Sequence, residues 1–251
     1  MLGKSGHFLM FFSVSVYIQD AKEKGRHHLS HFVSHSLFLF RLGSNKVGDL
    51  GVKLLAEILR NPDCKMQQLC LNSNMLTDSC ADDLSSILST GRSLTVVNLN
   101  DNKLGDSGVK LLPAALRNPN CKIQKLELRG NCLSEPCAED LASILNTNQS
   151  LAELNLGNNK LKHLGVKRLS LALMNPHCKI QKLLLYRNGL TKSCVQVLSS
   201  ALSKNQSLMK LNVDNNNLGD SGVKLLCAVL GNSDCLMCLP FTHSQNNLQR
   251  L

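Results

Sequence analysis

The residues best equipped for chemistry in this chain of 251 residues are its eleven Cys and eight His, and their spacing decides what they can do. Cys235 and Cys238, followed by His243, carry part of a zinc-ligand spacing. A structural zinc site needs four ligands, and no second Cys/His pair lies nearby. His27, His28, His31 and His35 would form i, i+4 pairs on a helix, but their stretch has no periodicity to order them, and a solvated cluster is expected. Gly3-Lys4-Ser5 echoes the end of a phosphate-binding loop, yet only two residues precede Gly3, so the G-x-x-x-x-G-K-[ST] frame does not fit. Between Ser36 and Cys235 the only His are His163 and His177, and no Ser/His/Asp or Cys/His set is suggested by spacing. The expectation is therefore no catalytic residue, no metal and no cofactor.

The Cys positions carry a different message. Cys64, Cys121, Cys178 and Cys235 stand 57 residues apart, and so do Cys80, Cys137 and Cys194. Lys53, Lys110, Lys167 and Lys224 keep the same step. A finer unit divides each 57: Asn45, Asn74, Asn102, Asn131, Asn159, Asn188 and Asn216 are separated alternately by 29 and 28 residues. Around each sits L-x-L-x-x-N-x-L, as in Leu69, Leu71, Asn74 and Leu76. Fixed-period self-similarity of this kind is the mark of a stacked-repeat architecture. Equivalent Cys are then two layers apart, too far for the roughly 7 Å that a disulfide spans, and are expected as small buried apolar residues. The triplets Asn148-Gln149-Ser150 and Asn205-Gln206-Ser207 are copies of one repeat position and a single coincidence with the glycosylation signal.

Two periods within each unit set its elements. Gln68-Leu69-Cys70-Leu71-Asn72 alternates and predicts a short strand with both Leu on one face. Cys80, Leu84, Ile87 and Leu88 follow helical spacing. Strand and helix in alternation predict an α/β solenoid, a horseshoe with a parallel β-sheet on its concave face and helices on the convex face. The Asn, with two donors and two acceptor lone pairs, is expected to satisfy backbone groups where the chain leaves the strand. Thr77, Ser134 and Thr191 are expected helix N-caps of one unit type, and Asp106 and Asp220 of the other; His163 replaces that Asp in the fifth unit.

Composition agrees. Apolar residues make up 43% and aromatics 4%, with no Trp, so the core must be aliphatic, as thin stacked layers allow. An odd number of Cys without evident pairing fits a reducing compartment, and a cytoplasmic location is expected. The apolar run from Phe8 to Ile18 has the shape of a signal-peptide core, but no small-x-small site follows and it is too short to span a bilayer. Residues 1–35 are expected as a poorly ordered segment outside the repeats, 36–234 as about seven repeats, and 235–251 as an incomplete last repeat in which Pro240 stands where a strand Leu belongs.

The alternating 28- and 29-residue units, with Cys opening one type and GDSGVKLL in the other, resemble the ribonuclease-inhibitor type of leucine-rich repeat. They are similar above all to the C-terminal arrays of NLR proteins, the NACHT- and leucine-rich-repeat-containing immune receptors of the cytoplasm, including their fish members. The resemblance implies a ligand-sensing or regulatory scaffold that binds another protein. Without a nucleotide-binding domain, such a chain could act only as a binder or decoy within a longer protein or beside one.

The working surface is expected at the positions flanking the strand Leu residues. Three positions in each of six strands give eighteen residues, close to the ~20–30 per side of a standard protein interface. Lys125, Arg129, Asn155, Lys182, Tyr186, Arg187 and Asp214 are the expected contacts, with Tyr186 and Arg187 as anchors because Tyr and Arg concentrate binding energy. A ribonuclease-inhibitor-like function is the alternative. It is disfavoured because a net charge of +10 repels basic ribonucleases. Nucleic-acid binding is less expected still, since aromatics for base stacking are almost absent.

Overall fold

The computed structural model describes residues 39–61 and 64–230. The expectations for residues 1–35, the His27–His35 cluster, Cys235 with Cys238 and His243, and Pro240 lie outside the described residues.

Among the described residues, seven strands of three residues each form one parallel sheet in chain order: β1 (Leu39–Arg41), β2 (Gln68–Cys70), β3 (Val96–Asn98), β4 (Lys125–Glu127), β5 (Glu153–Asn155), β6 (Lys182–Leu184) and β7 (Lys210–Asn212). Each pairs in register with the next, so Leu69, Val97, Leu126, Leu154, Leu183 and Leu211 line up along the stack. Behind the sheet run α1 (Gly48–Leu59), α2 (Ala81–Thr90), α3 (Gly105–Val109), α4 (Leu112–Leu116), α5 (Ala138–Thr147), α6 (Lys162–Leu173), α7 (Val195–Leu202) and α8 (Gly219–Leu230). Strands repeat every ~4.8 Å, whereas packed helices need about 8–10 Å. The stack therefore curves with its strands inside.

Leu69, Leu71, Leu76, Leu84, Ile87 and Leu88 of one unit are buried in a single aliphatic cluster that continues through the stack. Cys80, Cys121, Cys137, Cys178 and Cys194 are buried free thiols. Burial pushes the Cys80 and Cys137 thiols far above their ordinary value, and the neighbouring carboxylates of Asp49 and Asp106 push them further.

The repeated Asn residues occupy the turn after each strand. Asn102 Oδ1 accepts from the backbone N–H of Asn74 at 2.9 Å and of Leu76 at 3.1 Å, and its Nδ2 donates to the carbonyls of Leu71 and Leu99. Asn159 and Asn216 repeat the arrangement toward Asn131 with Leu133, and Asn188 with Leu190. Asn131 is different. Its Nδ2 donates to the Leu99 and Arg129 carbonyls, but its buried Oδ1 has no hydrogen-bond partner among the described residues.

The expected caps divide. Thr77, Ser134 and Thr191 each stand at the N-cap of a single 3₁₀ turn, and Thr77 accepts from the Ser79 N–H. Asp106 is not an N-cap: Leu104 holds that position, and Asp106 lies in the first turn of α3. Its carboxylate reaches into the next unit instead and accepts from the Ser134 backbone N–H and hydroxyl. Asp49 makes the same pair of bonds to Thr77. Asp220 is likewise the second residue of α8, and it is exposed. In unit five, His163 replaces this Asp and its Nδ1 lies 3.5 Å from the Ser193 hydroxyl.

Unit three breaks its helix. Pro113 stands where unit one has Ala56, and the single helix of α1 is here divided into α3 and α4. Proline has no N–H for the bond to the carbonyl four residues back.

Candidate interaction face

Strand alternation turns the middle residue of each strand into the core and its neighbours toward the inner face. Three rows result. Gln68, Val96, Lys125, Glu153, Lys182 and Lys210 form the first, and Cys70, Asn98, Glu127, Asn155, Leu184 and Asn212 the second. Two residues further along the chain, Asn72, Asn100, Arg129, Gly157, Tyr186 and Asp214 form the third. β2 and β3 supply only uncharged residues to these rows. β4 to β7 supply seven charged ones and the Tyr, so the polarity of the face is concentrated at its C-terminal half.

Those charges are connected. Lys125 Nζ lies 3.0 Å from Glu127 Oε1 and 3.4 Å from Glu153 Oε2, and Lys182 Nζ lies 3.2 Å from the same Glu153 oxygen. Glu127 Oε2 also accepts from Asn100 Nδ2 at 3.1 Å and Asn155 Nδ2 at 2.5 Å. Burial opposes ionisation of Glu127, but the hydrogen bonds from Asn155, Asn100 and Lys125 outweigh it and hold the carboxyl below its ordinary value. Lys125 is the complement: burial disfavours its charge, yet Glu127 and Glu153 hold its ammonium above the usual range. Half-exposed ion pairs of this kind add little stability. What they do is fix where the charges point.

Tyr186 lies across its neighbour strand. A Cβ on Gly157 would collide with Cε1 and Cζ of the Tyr186 ring, so the ring occupies the space that the missing side chain leaves. Beyond it, Arg129 pairs with Asp101. The Asp101 hydrogen bond is the main cause of the raised Arg129 pKa, and Tyr186 contributes. Tyr186 on its Gly157 seat and the Arg129–Asp101 ion pair thus make one patch across the ends of β3 to β6.

The expected contacts separate accordingly. Lys125, Lys182, Arg129 and Tyr186 come together on this face. Asn155 is only 7% exposed; its amide is divided between Glu127 and the Gly157 N–H, which makes it a support for the face. Arg187 is exposed but sits in the turn beyond the strand, at φ 52°. Asp214 accepts from Asn212 at 3.0 Å, and burial raises its pKa. Sequence reasoning missed Glu127 as the hub and Gly157 as the seat of the ring. A Gly beside a Tyr in the same row of adjacent strands is the signal that marks the second.

The Asn residues of both glycosylation-like triplets are structural. Asn148 is buried, donates to the Leu116 carbonyl, and accepts from the Ser150 and Leu151 N–H groups; Asn205 repeats this toward Leu173, Ser207 and Leu208. Among the described residues no group of three or more His, Cys, Asp or Glu is placed to hold a metal ion, and no helix is long and apolar enough to cross a membrane.

Comparison with known proteins agrees with this architecture. The family model described as Leucine Rich repeat matches residues 92–112 and 204–227. The chain is 43% identical over 202 residues to the NACHT, LRR and PYD domains-containing protein 3 of Macaca mulatta and of Homo sapiens, a match covering 80% of this chain and 20% of each relative. Protein 14 of the same name from Homo sapiens is 43% identical over 194 residues, covering 77% and 18%. The chain therefore spans about one fifth of the length of these relatives. Among solved structures, the tropomodulin C-terminal domain of Caenorhabditis elegans superimposes with a TM-score of 0.50 at 20% identity, covering 60% of this chain and 91% of that one, a likeness of fold.

Proposed function

From the premise that these are leucine-rich repeats of the kind carried by NLR proteins, we propose that the chain is a ligand-sensing or regulatory scaffold that holds another protein on its inner face in the cytoplasm. The observation that supports this is the patch over β4 to β7. There an aromatic ring, a guanidinium and a chain of alternating Lys and Glu side chains are held in place by their neighbours on a rigid stack. Tyr and Arg are the residues most often found at the energetic centres of interfaces. Preorganised side chains also lose less entropy when a partner arrives.

The test is partner capture by the full chain and by its Tyr186→Ala/Arg129→Ala variant, with circular dichroism and melting to verify folding. The reading requires loss of the partner at unchanged helical content. Capture of the same proteins in the same yield by the folded variant would remove this face from consideration. Tyr186→Ala/Arg187→Ala tests whether the rim beyond the strand takes part.

A further inference from the structure

An open groove of about 620 Å³ lies off the strand face, beside the first turns of α5 and α6. Unit four contributes Glu135, Pro136 and Glu139 to it, and unit five contributes Lys162, Leu164 and Arg168, with Lys160 at the rim. Unit five departs from its sister units at these same positions. Where Lys162 stands, the other three units of this type have Gly48, Gly105 and Gly219, all with positive φ. Lys162 adopts φ 48°, in the left-handed region that disfavours any residue bearing a side chain. Arg168 takes the place of Leu54, Leu111 and Leu225, and Leu164 that of Ser107 and Ser221, although unit one has Leu50. The fold does not require these residues, because the sister units stack without them.

The lining is an apolar strip inside a charged frame. Leu164 is 56% exposed, and Leu171, 49% exposed, continues the same side of α6 about two turns on, beyond Arg168. Three cations face two carboxylates. The pair Lys162–Glu135 is long, at 3.9 Å, and Arg168–Glu139, at 3.2 Å, is exposed on both sides, so neither adds much stability and each can be exchanged for other partners. An amphipathic helix docks by laying its apolar stripe on such a strip, with its charged flanks over the frame.

We propose that this groove is a second docking site, separate from the inner face, for an acidic amphipathic helix of a partner protein. Its apolar stripe would cover Leu164, Pro136 and Leu171, and its carboxylates would take Lys162 and Arg168. The proposal does not rest on the function assigned to the strand face.

Reversion to the sister residues provides the test. The probe is a fluorescein-labelled helical peptide of sixteen residues with a Leu stripe flanked by acidic side chains, titrated with the full chain at low salt and followed by anisotropy. The parent should bind it, and the Lys162→Gly/Leu164→Ser/Arg168→Leu chain should bind at least tenfold more weakly while melting no lower than the parent. Tyr186→Ala should leave this binding unchanged, which separates the groove from the inner face. Equal affinity of the parent and the reverted chain overturns the proposal. So does equal binding of a peptide with Lys in place of every acidic residue. Stronger groove-dependent binding of phosphatidylserine vesicles or single-stranded RNA would overturn the assignment to a protein helix.

Discussion

Replacing Asn102 and Asn131 separately by Ala tests whether the Asn relay works as the hydrogen bonds indicate. The two residues are 29 positions apart, equally embedded, and indistinguishable by motif. Their partners differ. Removing the Asn102 amide strands the N–H groups of Asn74 and Leu76 and the Leu71 carbonyl, while the Leu99 carbonyl keeps its bond from Asn131 Nδ2. Three stranded buried groups at about 1–3 kcal/mol each give a loss of roughly 3–9 kcal/mol. Removing the Asn131 amide strands neither of its acceptors: the Leu99 carbonyl keeps Asn102 Nδ2, and the Arg129 carbonyl keeps the Asp101 N–H. It also deletes an Oδ1 that is already unpartnered. The loss there should be about 1–2 kcal/mol, from hydrogen bonds given up without stranding a group. Urea unfolding of both variants measures the difference. Hydrogen exchange should locate it, with the Asn74 and Leu76 amides losing protection only in Asn102→Ala. Losses equal within about 0.5 kcal/mol would refute the reasoning, since that is the limit to which such comparisons are additive.

Three more outcomes are expected. Burial works against ionisation of Asp106, but its bonds from Ser134 prevail and leave its pKa below the ordinary value. Its stabilisation is therefore present at pH values above the unfolded-state pKa near 3.9 and is lost as pH falls through the folded value. Asp106→Asn should lower stability at pH 7 by about 1–2 kcal/mol, and the two melting curves should converge in acid; a pH-independent gap would contradict this. With burial holding Cys80 and Cys137 protonated, iodoacetamide at pH 8 should label exposed Cys132 in the folded chain and spare those two, as read by peptide mass mapping. Pro113→Ala should join α3 to α4. The ~3 kcal/mol cost of a mid-helix proline, less about 1.6 for two buried methylenes and somewhat under 1 for the freer unfolded chain, leaves a net gain below about 1 kcal/mol. The far-ultraviolet helical signal should rise, and an unchanged signal would mean that the break has another cause.

Period and alternation make the architecture legible in the sequence. The pattern around each Asn located the strands within a residue or two, and the Leu spacing located the helices. Interactions between units were less legible. Asp106 looked like a cap because capping rules are local, whereas its carboxylate serves Ser134, 28 residues on. Asn155 faces the inner surface by alternation, as expected, yet Glu127 on the neighbouring strand draws its amide down and closes it from solvent. Alternation assigns a face; neighbouring side chains decide whether a residue on that face can be reached. The placement of Tyr186 depends on the absence of a side chain one strand away, at Gly157, which a unit-by-unit reading does not display.

The divided helix of unit three has a mechanical consequence. On the outer side of the curve, α3 and α4 are two short segments where α1 and α6 are unbroken, and at the adjacent boundary toward unit four Asn131 keeps its Nδ2 bond to the Leu99 carbonyl but lacks the two Oδ1 bonds that Asn102, Asn159 and Asn216 accept. A bending load on the stack is thus taken up first at this joint. The units before it and the units carrying the charged patch would turn as two stiffer arms, and the radius of the curve would be set at one place along the chain.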